Sequence, residues 1–357
     1  MQRRTKIIII ACVPLIIILN LILRKFPKFV EIVYSNFINK TMIQIVSRTT
    51  GIFPISIAEF LVIGLFIALF ILIVILFIKI KKGGFLDQLL TIFTYLSVLY
   101  LLFMIMWGFN YNRLDFKQIA NLPNEKATKE DLIGLCEELI YKANTLREQV
   151  QEDANGVATL SNGYRDVFER ANKGYKEASK VYPELSGIYG RPKPILLSNK
   201  LSYTGITGIY IPYTGEANVN VNIPVYKIPS TAAHEMAHQR GFAREDEANY
   251  IAYLTTSMHP DIDFKYSGTM LALAYSMNTL YDVDYDTYKV LRSKYSDGVI
   301  RDLRYSYEFW LEYEGEVKEI AKEVNDTYLK SNGQEEGTLS YGRMVELLLA
   351  EYIQNNN

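Results

Sequence analysis

The sequence predicts an α+β protein in which three apolar helices precede a mainly helical domain that carries a small β-sheet. Three observations carry that prediction. Apolar runs dominate the first hundred or so residues, and beyond residue 121 helical stripes alternate with short extended runs. Within that second part, His234-Glu235-Met236-Ala237-His238 lies in a helix expected over 230–241.

The apolar runs cover about 7–23, 57–78 and 89–107. Each is long enough to cross a hydrocarbon core of roughly 30 Å. Arg3, Arg4 and Lys6 precede the first run, and Arg24-Lys25-Phe26 follows it with no small-x-small cleavage pattern. It reads as an uncleaved anchor. Lys79, Lys81 and Lys82 crowd the link between the second and third runs. Basic residues favour the cytoplasmic side, which makes the N-terminus cytoplasmic. Three crossings then place everything after about residue 110 outside a bacterial cytoplasmic membrane. The expected organisation is a membrane domain over 1–110 and an extracytoplasmic domain over 111–357.

The loop 24–56 repeats Phe29, Ile32, Val33, Phe37, Ile43 and Val46 at near-helical spacing, as an amphipathic segment on a lipid surface would. Ser56 and Glu59 have the spacing of a capping box for the second span. Trp107, Tyr111 and Arg113 close the third span as interfacial anchors.

Net charge is −1, and no Lys/Arg-dense stripe interrupts the second half. Nucleic acid is therefore not an expected partner; the bilayer is. Cys12 and Cys136 stand far apart, which rules out a thiolate cluster or a disulfide framework.

In the second half, Thr128 and Asp131 open a helix over 128–151, and another covers 164–181. Strands are expected at 195–197, 207–212 and 218–223, with Gly205, Gly208 and Gly215 at their bends. Helices then run over 230–241, 245–258, 267–280, 285–295, 299–325 and 340–354.

His-Glu-x-x-His carries the chemistry. Residues four apart share a helix face, so His234 and His238 can direct both imidazoles at one ion. Glu235 is rotated about 100° from His234, so its carboxylate can serve water at the ion as general base. Two of the 3 histidines in the chain lie here. Arg240 departs from the pattern, being charged where such helices usually continue apolar. His259, beside Pro260, reads as a loop histidine.

A catalytic zinc site needs a third protein ligand. Gly241 can end the helix in a left-handed turn, and the chain can then bring Glu245, Asp246 or Glu247 to the metal. Glu245 is preferred and Glu247 is the alternative. With Glu245 as ligand, Glu245-Asp-Glu-Ala-Asn249 resembles the gluzincin pattern, which implies that Asn249 orients a ligand histidine. Two imidazoles, one carboxylate and an open position favour Zn2+.

Upstream, the Gly208–Tyr210 stretch offers an edge to which an extended peptide could add. Tyr203, Tyr210 or Tyr213 could donate to a developing oxyanion. A plain hairpin explains the same residues.

The stretch 205–254, with Gly-Ile-Tyr-Ile-Pro, Glu216-Ala-Asn218 and His-Glu-Met-Ala-His-Gln-Arg-Gly-Phe-Ala-Arg-Glu-Asp-Glu-Ala-Asn, is similar to a bacterial family catalogued as domain of unknown function 3810. The resemblance extends to Val30-Glu31, Tyr34-Ser35, Pro54, Ser56, Glu59 and the exit from Trp107 to Arg113. It implies a membrane protein with a zincin-like extracytoplasmic domain. The expected function is a zinc metallopeptidase acting on peptides or proteins outside the cytoplasm. A cell-wall peptide amidase and a non-catalytic zinc sensor or scaffold are the alternatives.

Overall fold

The computed structural model describes residues 1–334 and 337–356. Three of its helices, Arg3–Leu23, Ile57–Lys82 and Phe85–Met106, are long and apolar enough to cross a membrane. They exceed the predicted runs because basic and polar residues extend the helices beyond their apolar centres. Phe66, Phe70 and Phe77 are exposed along the second span, as side chains facing lipid would be. Lipid gives apolar faces little reason to pair, so hydrogen bonds hold the spans together. Gln88 donates to the Leu72 carbonyl at 2.9 Å and Tyr95 to the Leu65 carbonyl at 2.8 Å. At the start of the first span, level with Gln88, Lys6 reaches Thr91 at 2.8 Å and pairs with Asp87.

The loop after the first span is helical, as its periodicity suggested, but its winding is unusual. Val30–Asn39 forms a π-helix that runs straight into the α-helix Lys40–Thr50. Nothing in the residue pattern marks that change of winding. Phe37, Ile38 and Ile45 remain exposed, while Glu31, Ser35 and Asn39 are buried against the exit of the third span. Arg113 makes a two-pronged pair with Glu31 at 2.9 and 2.7 Å. Ser35 donates to Asn110 at 2.8 Å, and Asn39 donates to the Met106 carbonyl at 2.6 Å. A buried pair leaves either charge stranded if its partner is removed.

The second of the three apolar helices is tied to the later part of the chain at its first turn. Backbone N–H groups of Ile57 and Ala58 donate to the Glu216 carboxylate, at 3.3 and 2.6 Å. Lys193 pairs with the same carboxylate and donates to the Thr50 and Ile55 carbonyls, at 2.7 and 2.9 Å. Ser56 caps the helix by accepting from the Glu59 N–H at 3.2 Å. The other half of the expected capping box is not made. Glu59 instead accepts from the Leu196 and Leu197 N–H groups, at 2.7 and 3.1 Å. Helix N-termini need acceptors, and this one is served by Glu216 from another part of the chain.

The sheet has three strands in the order β1-β3-β2. These are β1 (Lys193–Pro194), β2 (Gly208–Ile211) and β3 (Glu216–Val219), each shorter than predicted or offset from the prediction by a few residues. β1 runs parallel to β3 and β2 antiparallel to it, leaving β2 on an outer edge. Helices form most of the rest. The Thr128–Asp131 capping box is complete and starts Lys129–Arg147. The expected 164–181 helix is divided into Gly163–Arg170 and Asn172–Ala178. The expected 299–325 helix divides into Asp297–Leu311 and Glu316–Ser331 near Gly315, whose φ of +153° a side chain would resist. The core gathers around Ile228–Gln239 and Glu245–Ser257, with Phe116, Phe242, Tyr250 and Tyr266 fully buried.

Candidate metal centre

Pro229, at the start of Ile228–Gln239, has the fixed φ and missing N–H that a first helical turn accommodates. The helix stops after the second histidine. Gly241 takes φ +82°, and the Phe242 N–H returns to the Ala237 carbonyl at 3.2 Å. This left-handed turn closes the helix end. The next helix begins at Glu245, which brings its carboxylate back to the face that carries the histidines.

Three donor atoms converge there. His234 and His238 Nε2 are 3.0 Å apart, and Glu245 Oε2 lies 3.2 Å from the first and 3.6 Å from the second. Ligands held tetrahedrally at about 2.0–2.1 Å from a zinc ion would stand about 3.3 Å from one another. The three separations fit such an ion.

The hydrogen bond at the other ring nitrogen supports the same fit. His238 Nδ1 is 2.7 Å from the Phe242 carbonyl, an acceptor, so Nδ1 carries the hydrogen. Nε2 then presents its lone pair to the cluster, as a metal-ligating histidine with an outer partner does. Burial pushes Glu245 upward, but His238 and His234 beside it hold its carboxyl far below the usual range. Burial alone would lower His238, and Glu245 overrides it, raising the imidazole to about 9, so at neutral pH Nε2 carries a proton toward Glu245 that a bound ion would have to displace.

Glu235 is buried beside this cluster but outside it. Burial pushes its carboxyl up to about 7 against the pull of His234 and His238. The space for that carboxylate exists because residue 208 is glycine. A methyl group there would stand 2.8 Å from Glu235 Cδ and closer still to Oε1. Gly208→Ala is therefore expected to displace the Glu235 carboxylate while leaving the three donors in place. Bound metal should stay at the wild-type level and any hydrolytic rate should fall. A variant as fast as wild type would show that Glu235 is not held by this contact.

The other sequence candidates lie apart from the donors. Glu247 is buried and accepts from the Phe116 N–H at 2.7 Å. Asp246 pairs with Arg244 at 3.0 Å. Asn249 does not orient a histidine: its amide donates to the Tyr275 hydroxyl at 3.2 Å, and the Phe242 carbonyl holds His238 instead. Tyr203 packs edge-on against Tyr313, and Tyr213 donates to the Leu99 carbonyl at 3.0 Å. Tyr210 does lie beside the centre, 4.8 Å from the Trp107 ring and 6.5 Å from His238. Its buried hydroxyl has no hydrogen-bond partner among the described residues. His259 stacks on Phe264 with ring centroids 3.7 Å apart, away from the cluster. Arg240 is buried, stacked 3.7 Å from the Tyr175 ring and bonded to the Leu185 carbonyl at 2.8 Å. Its charge is a packing element of the helix end.

Several neighbours of the centre left no signal in the sequence. Trp107 reads as a membrane anchor, yet its ring also meets His238 edge-on at 5.7 Å. Tyr111 donates to the Tyr328 hydroxyl at 3.2 Å. Burial raises both phenols, the Glu245 carboxylate adds to the effect, and Tyr111 packs edge-on against Trp107, with ring centroids 6.3 Å apart. Gln334 accepts from the Glu245 N–H at 3.3 Å. These residues come from two parts of the chain, 107–111 and 328–334, both distant from the motif, so no local spacing could have linked them to it.

A family model matches residues 34–349, from the π-helix to the last helix. The chain belongs to the DUF3810 family. That family is described as a protein of unknown function. In this DUF3810 protein the matched region includes the second and third spans, the edge strand and all three converging donors. No curated protein and no solved structure matches the chain.

Proposed function

We propose that this DUF3810 protein is a membrane-anchored zinc-dependent hydrolase of peptide bonds, with its soluble domain outside the cytoplasm. The observation that supports it most is the convergence of His234, His238 and Glu245 with a buried fourth group, Glu235, excluded from the donor set. A purely structural ion has no use for a spare base beside it. That weighs against a zinc sensor or scaffold.

The two imidazoles and the Glu245 carboxylate would hold the ion. Zinc held there would supply Lewis acidity and make water a nucleophile near neutral pH. Glu235 would take the proton from the attacking water and return it to the leaving amine. The Phe242 carbonyl keeps His238 in the tautomer that faces the donors. The outer edge of β2 would align an extended chain through its free backbone groups. A cell-wall peptide amidase would use the same groups, and the substrate separates the two readings.

Two measurements test this proposal. Profiling the detergent-solubilised full chain on peptide and cell-wall substrates should give zinc-dependent cleavage; none on either class would overturn the hydrolase. A reporter fused after Asn357 should be active only outside the cytoplasm, and a cytoplasmic signal would reverse the orientation.

A further inference from the structure

A recess of about 510 Å³ opens where the first and third spans meet the soluble domain. Its walls differ in chemistry. Leu99, Phe103 and Met104 from the last turns of the third span form an apolar side. Arg24, at the end of the first span, and Asn332, after the helix Glu316–Ser331, form a polar side. Tyr111 and Tyr328 also line the recess as a hydrogen-bonded pair, and Tyr111 packs on Trp107, whose ring meets His238.

Arg24 has no acidic partner among the described residues, unlike the buried Arg113, which is paired with Glu31. Its guanidinium lies beside the turn at Gly333, where a methyl group would come within 3.2 Å of Nη2. An exposed, unpaired guanidinium at the end of a span lies at the depth of lipid headgroups, and its fork matches phosphate. The apolar wall of Leu99, Phe103 and Met104 belongs to an apolar helix long enough to cross a bilayer. A ligand that satisfies both walls has an anionic head and an alkyl tail, and the bilayer supplies such molecules at high concentration.

We propose that this recess seats one anionic phospholipid, its phosphate on Arg24 and an acyl chain along Leu99, Phe103 and Met104. The bound lipid lies across the Tyr111–Tyr328 pair from the metal centre. This assignment does not depend on the hydrolase reading.

Native mass spectrometry of the full chain tests it, using phosphatidylglycerol and phosphatidylcholine with identical acyl chains. Wild type should retain one phosphatidylglycerol in preference to phosphatidylcholine by about fivefold or more, the factor one arginine near an anionic surface carries. Arg24→Gln should lose that preference. Arg48→Gln, at another exposed arginine, should keep it. Glycerol 3-phosphate, which has the head without the tail, should not displace the lipid. The same preference should persist in His238→Ala, which separates lipid binding from any failure of the metal centre. Equal retention of the two lipids by wild type would reduce the recess to ordinary annular contact and overturn the proposal. Undiminished preference in Arg24→Gln would also overturn it, as would displacement by glycerol 3-phosphate.

Discussion

Glu235→Gln is expected to keep its metal and lower peptide hydrolysis by about 10²–10⁴-fold, the range that a positioned general base contributes. The substitution keeps the shape of the side chain and removes only its ability to take a proton. The carboxylate is not among the three converging donors, so metal content should be unchanged. Gly208 keeps space beside it, so the amide should fit where the carboxylate did. Metal analysis and turnover on the same preparation check both parts. Wild-type turnover in this variant would sink the hydrolase reading, whereas loss of metal would move Glu235 into the ligand set.

The second large effect is expected at residue 245. Glu245→Ala removes one of three donors and should weaken zinc binding by more than the roughly 10–100-fold that loss of an outer partner costs. Glu247→Ala should behave differently although the two glutamates are two residues apart. Its carboxylate accepts from the Phe116 N–H within the core, so removal strands a buried donor at about 1–3 kcal/mol. Zinc per chain and thermal midpoint, measured on both variants, should therefore separate. The first loses metal, and the second loses stability with its metal retained. Unchanged zinc in Glu245→Ala would remove it from the donor set.

The sequence made some of this legible for physical reasons that can be named. Long apolar runs mark the spans because a bilayer demands length and composition together. Thr128 with Asp131 announces a helix start, and Gly241 a helix end, because each satisfies backbone groups locally. The donors His234 and His238 share a face by helical geometry alone. Tertiary contacts were not legible. Asn249 sits one turn after Glu245, and spacing suggested a histidine partner, but Tyr275 arrives from the following helix and takes its amide. Glu59 fits a capping box by sequence, yet Leu196 and Leu197 offer it better-placed donors. The π-winding of Val30–Asn39 leaves no mark because apolar periodicity does not distinguish it from an ordinary turn over ten residues.

The clamps at the span ends set a distance. Glu216 holds the first turn of the second span, Arg113 holds the helix after the first span, and Arg113 also donates to the Arg240 carbonyl at 3.3 Å, at the end of the motif helix. The centre is thus fixed relative to the ends of these helices and does not swing on a tether. In the proposed hydrolase, a scissile bond would have to arrive at that fixed place. Such a centre would act as a ruler, cutting a membrane-rooted chain at a set number of residues from the bilayer surface.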